Sequence, residues 1–68
     1  MAIQVYEGSS FIGNKRVIET FDNYAEAKAY VLGLGVIDYE DDNDYPNCGD
    51  AYLNDGRCIH VQPEGLKV

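Results

Sequence analysis

Between Asp38 and Asp55 the sequence contains no lysine and no arginine. Binding to a phosphate backbone needs clustered basic side chains that displace counterions, and a chain of 68 residues with a net charge of −7 does not supply them. Direct contact with DNA or RNA is therefore not expected. Cysteine is scarce as well: Cys48 and Cys58 are the only two, too few for the disulfide-dense framework of a small secreted domain. No charged-then-apolar signal segment opens the sequence, and the longest apolar run falls far short of a membrane span. A cytoplasmic protein with reduced thiols is the expectation. A Cys48–Cys58 disulfide would need the chain to fold back at Pro46, because continued strand pairing leaves Cys48 ~15 Å from the position opposite Cys58.

The groups that carry chemistry are equally sparse. His60 is the single histidine, and Cys58, two residues before it, is the only thiol with an imidazole close in sequence. A cysteine nucleophile needs a base aimed at it and a pocket around it, and a chain this short has little material for either. Cys48, Cys58, His60 and Asp50 contain no CxxC and no second histidine, so they do not form the paired-ligand pattern of structural zinc. The carboxylates fail the calcium-loop template too. Counted from Asp38 there is no glycine at the sixth position, and counted from Asp44 the third position is Pro46. Gly33-Leu34-Gly35 follows a helix instead of preceding one and so cannot cradle a phosphate at a helix N-terminus. The expectation is a protein that is not an enzyme and has no catalytic residue, metal site or cofactor.

What is present is enough for one small domain over residues 1–68, burying about 60% of the surface that the unfolded chain exposes. Residues 2–21 have the pattern of a β-hairpin. Ile3 and Val5 alternate with Gln4 and Tyr6; Val17, Ile18 and Phe21 supply the second arm, with Gly13-Asn14 as a turn and either a bulge at Gly8-Ser10 or a longer loop from 8 to 14. Asn23 with Glu26 forms a capping-box pattern ahead of Tyr24, Ala27, Val31 and Leu34, whose spacing puts them on one helical face. Gly33 or Gly35 ends the helix. Val36-Ile37 is a candidate short strand, and residues 38–49 are expected to form an acidic loop or irregular arm, because five acids in seven residues repel one another.

Residues 50–62 make a second hairpin around Asn54-Asp55-Gly56. A three-residue loop with Gly56 left-handed gathers Ala51, Leu53, Ile59 and Val61 on one face and Asp50, Tyr52, Cys58 and His60 on the other, with Pro63 ending the strand. The fold class that buries these patterns is α+β: an antiparallel sheet of three to four strands in β-β-α-β-β order, packed against one helix and open on its other face.

Seven of the twelve acids fall in residues 38–55, and the other fifty residues balance five acids against five bases. Clustering of this kind is more than solubility requires. Tyr39, Tyr45 and Tyr52 are threaded through the acids, whereas solvated disordered tails are poor in aromatics. Tyrosine brings large, rigid contact area, and acids at a rim set association rate and specificity. Asp38, Tyr39, Glu40, Asp41, Asp42, Asp44, Tyr45, Asp50, Tyr52 and Asp55 are therefore the candidate partner-binding residues. Their complement is a basic protein that itself binds nucleic acid. The alternative is a self-associating protein, a homodimer or larger homo-oligomer, that holds a small ligand or metal.

In size, charge and layout, with FDNYAEAKAYVLGLG as the single helix between hairpins and the acidic run DYEDDND, the chain resembles small phage-encoded inhibitors of host nucleic-acid machinery. Anti-CRISPR proteins and DNA-mimic anti-restriction proteins are of this kind. The resemblance implies an inhibitor in the host cytoplasm whose carboxylates stand in for phosphates as a local plug. It assigns no role to any individual residue.

Overall fold

A computed structural model describes residues 2–8 and 16–65. The elements are β1 (Ile3–Glu7), β2 (Arg16–Phe21), α1 (Tyr24–Leu32), β3 (Val36–Asp41), β4 (Gly49–Leu53) and β5 (Cys58–Pro63). The strands form one sheet in the order β2-β1-β5-β4-β3, antiparallel at every pairing. The α+β class holds, with five strands in place of three or four.

Local signals place the helix. The Asn23 side chain accepts from the Glu26 N–H at 2.9 Å, which satisfies one of the donors that a helix N-terminus leaves without a partner. The return contact of the capping box differs from expectation, since Asn23 Nδ2 donates to Glu26 Oε1 at 3.3 Å. At the other end Gly33 donates to Ala29 and Tyr30, and Gly35, at φ +91°, makes the left-handed turn. Gly35 O then accepts from Asn54 N at 2.9 Å, tying the helix exit to the β4–β5 turn. The helix carries the chain from one edge of the sheet to the other. On the way it covers a core of Ile3, Val5, Ala51, Leu53, Ile59 and Val61 with Ala27 and Val31.

The second hairpin takes the expected register, with Ala51 opposite Ile59, Leu53 N bonded to Arg57 O and Gly56 at φ +92°. The first hairpin also pairs as expected. Its bulge lies in β2, where Val5 faces Glu19 and Tyr6 faces Val17, leaving Ile18 as the extra residue. Gly8 has a positive φ of 114°; Ser9, Ser10 and the Gly13-Asn14 turn lie outside the described residues.

Residues 38–41 correct the expectation of an acidic arm. The strand begun at Val36 continues through Asp38, Tyr39, Glu40 and Asp41, paired with Tyr52, Ala51, Asp50 and Gly49, after Ile37 is passed over as a bulge. Alternation is the physical reason. A strand sends neighbouring side chains to opposite faces, so Asp38 and Glu40 share one face while Tyr39 and Asp41 turn to the helix, where Asp41 meets Lys28. Only residues 42–48 remain as loop. The outer face is also less open than expected: the central strand β5 is covered on both sides, leaving His60 and Gln62 just 6% and 7% exposed. Among the described residues no helix is long and apolar enough to cross a membrane.

Candidate protein-interaction face

Side-chain parity in the ladder sorts the outer face into rows. Glu40, Asp50, His60, Tyr6 and Val17 are successive Cα partners across all five strands, and the neighbouring row runs Asp38, Tyr52, Cys58. The β3–β4 half of this face thus carries Asp38, Glu40 and Asp50 around Tyr52, which is 51% exposed. Glu40 stands directly opposite Asp50, a like-charge pairing that destabilises a sheet. The described bases lie elsewhere, each on another acid: Arg16 on Glu7, Lys28 on Asp41 and Arg57 on Asp55. Asp38, Glu40 and Asp44 have no ionic partner among the described residues.

The face is hydrogen-bonded at its centre. His60 Nδ1 lies 2.7 Å from Asp50 Oδ1, and Nε2 lies 2.8 Å from the Gln62 side-chain amide. A carboxylate only accepts, so Nδ1 carries a proton. Neutral His60 then accepts at Nε2 from the Gln62 NH2, whereas an imidazolium donates to the Gln62 carbonyl. Tyr6 donates to Gln4 Oε1 at 2.6 Å beside this group.

The candidate residues are not all on one surface. The 42–48 loop adjoins the outer acidic row, with Asp42 as its organiser: its Oδ1 accepts from Asp44 N at 2.8 Å and Tyr45 N at 3.1 Å. Tyr45 is exposed there. Asp55 stands at the opposite end of β4, where its carboxylate receives the Arg57 backbone N–H and Nε; the backbone bond, above all, holds its pKa below the usual carboxylate range.

Tyr39 and Asp41 point to the helix side and build a second polar cluster. Tyr24 has one hydroxyl proton, and Asp41 Oδ1 at 2.5 Å is its strongest acceptor, so Tyr39 donates to Tyr24 Oη at 2.7 Å. Lys28 Nζ reaches Asp41 Oδ2 at 2.9 Å and stands 5.0 Å from the Tyr39 ring centre. Burial, then the bond to Asp41, pushes the Tyr24 hydroxyl pKa well above its ordinary value, and burial raises Tyr39 as well. Asp41 is lowered by the bonds from Tyr24 and Lys28, and Lys28 is raised by the bond to Asp41. Sequence spacing carried no sign of this cluster, since its members are distant along the chain and meet only where α1 crosses β3.

Both cysteines are free thiols. Cys48, the last residue of the loop, is buried, and burial, with Asp42 and Asp50 nearby, raises its pKa. Among the described residues no three His, Cys, Asp or Glu side chains are grouped so as to hold a metal ion. Compared with protein-family models, curated proteins and solved structures, the chain gives no match.

Proposed function

We propose that this protein is a non-enzymatic inhibitor that places the outer surface of β3 and β4, with the adjoining 42–48 loop, against a basic surface of a nucleic-acid-binding protein. The observation that carries the proposal is the Glu40–Asp50 opposition, with Asp38 and the exposed Tyr52 beside it and no lysine or arginine on that face among the described residues. A fold gains nothing for its own stability from like charges set side by side. Lysines and arginines of a partner relieve that repulsion and occupy the positions where they would otherwise hold phosphates. Tyr52 and Tyr45 supply contact area, and the carboxylates steer encounter. Charge and layout fit the small phage-encoded inhibitors that the sequence resembles, acting in the host cytoplasm.

The structure refines which acids to change. Asp41 faces Lys28 and Asp42 builds the loop, so the informative variant is Asp38→Asn/Glu40→Gln/Asp44→Asn, which leaves both intact. The test is affinity capture from host lysate at low and high salt, followed by nucleic-acid binding of the captured protein with and without the inhibitor. The expected result is a basic nucleic-acid-binding protein that loses its nucleic acid when the inhibitor is added. The triple variant should bind about ten-fold more weakly at low salt, chiefly through a slower on-rate. Unchanged affinity of that variant overturns the proposal.

A further inference from the structure

The outer edge of β3 is the part of this surface whose backbone has no neighbouring strand among the described residues. β3 ends the sheet, and its hydrogen-bond parity follows from one contact: Asp42 N donates to Cys48 O at 2.9 Å. In an antiparallel ladder the residues that exchange bonds with the partner strand alternate. Glu40 and Asp38 therefore direct N–H and C=O toward β4, and Tyr39 and Asp41 direct theirs away from the sheet. Ile37, the bulged residue, interrupts the edge at one end and is 71% exposed. The regular stretch open to pairing is Asp38–Asp41.

Charge decides what can pair there. A second copy of β3 could use these amides in three antiparallel registers, with Tyr39 opposite Tyr39, Tyr39 opposite Asp41, or Asp41 opposite Asp41. The first sets Asp38 against Glu40, the second Glu40 against Glu40, and the third Glu40 against Asp42. Every one places acid on acid, which destabilises a strand pair. A strand of opposite charge meets no such cost. We infer that the β3 edge accepts a short, extended, lysine- or arginine-bearing segment of the partner as a sixth strand. This inference rests on the proposed function and specifies how the partner is held.

Parity also fixes the arrangement of the added strand. Its residues opposite Tyr39 and Asp41 exchange backbone bonds with β3, and its residues opposite Asp38 and Glu40 occupy non-hydrogen-bonded positions, where side chains approach most closely. The basic side chains belong at the latter positions. The recognised segment thus alternates base with apolar residue: the amides of its apolar residues face β3, and those of its basic residues face away.

A short synthetic peptide of alternating lysine and valine is the probe, with two relatives, one N-methylated at the valine amides and one at the lysine amides. Methylation at valine should weaken binding about ten-fold or more, as loss of two backbone bonds does. Methylation at lysine should leave binding unchanged. Hydrogen exchange at the Tyr39 and Asp41 amides should slow when the unmethylated peptide is bound, while Asp38 and Glu40, already bonded to β4, change little. Equal binding of the two methylated peptides without protection of Tyr39 and Asp41 overturns strand addition; if Asp38→Asn/Glu40→Gln still weakens all three, the charge-based function survives. Failure of the unmethylated peptide to bind also overturns it, leaving the lysate capture as the separate test of function. A dimer in sedimentation whose Tyr39 and Asp41 amides are protected without peptide would assign the edge to a second copy, again overturning the inference.

Discussion

Gly49 is the residue on which the tyrosine cluster depends. A Cβ at that position would lie 2.6 Å from Tyr24 Oη and 2.7 Å from Tyr39 Oη, so any larger side chain drives the two hydroxyls apart. Gly49→Ala is expected to destabilise by about 1–3 kcal/mol, the usual range for overpacking. In a Tyr24→Phe/Tyr39→Phe background, which removes the two closest of those atoms and leaves Tyr39 Cε1 at 3.0 Å, the same change should cost less. Urea unfolding of the four variants forms a double-mutant cycle that checks this, and equal costs in both backgrounds would refute the steric account. The thiols offer a second test at this scale. Cys48 is 2% exposed with a raised pKa and Cys58 is only partly buried, so iodoacetamide at mildly alkaline pH should label Cys58 first. Mass spectrometry of the partly labelled protein reads the order directly.

Among the elements, α1 depends on its cap and on its link to β3. Asn23→Ala removes the acceptor for the Glu26 N–H and should cost about 1 kcal/mol in thermal or urea unfolding. The link to β3 predicts a pH profile. Asp41 has a lowered folded pKa, so its contribution is present above the unfolded value near ~3.9 and is lost as pH falls through the folded one. Tyr24 and Lys28 have raised folded pKa values. Their contributions are complete below their unfolded values, about 10 for both, and are lost as pH climbs beyond. Stability from this cluster should be flat across neutral pH and fall at both extremes. Asp41→Asn combined with Tyr24→Phe should flatten both limbs of the urea midpoint against pH; limbs that persist unchanged would place their origin elsewhere.

For the whole molecule the proposed function of the acidic face stands against stability. Because Glu40 opposes Asp50, Glu40→Gln should raise the unfolding midpoint of the isolated protein at low salt, and the gain should vanish at high salt as screening removes the repulsion. On the proposed function the same substitution should weaken binding of the basic partner. A destabilised Glu40→Gln protein would mean that favourable contacts hold Glu40 and that its opposition to Asp50 costs the fold nothing.

The sequence by itself determined the helix, its cap, both hairpins and the register of the second, because each follows from neighbours within a few residues: the Asn23–Glu26 spacing, the left-handed glycines and the two-residue alternation of strands. It also disclosed the acidic segment and the sharing of one face by Asp50 and His60. Strand order, the continuation of β3 through Asp38–Asp41 and the meeting of Tyr24, Lys28, Tyr39 and Asp41 were decided only by the tertiary structure. Five acids in seven residues look unfit for a strand while their mutual repulsion alone is considered. β4 supplies the backbone bonds, α1 supplies Lys28 and Tyr24, and the pleat sends half of the charge to each side. Those are interactions between segments far apart in the chain, and they separated the candidate residues into an exposed acidic face, a loop organised by Asp42, a tyrosine cluster against the helix and a remote Asp55.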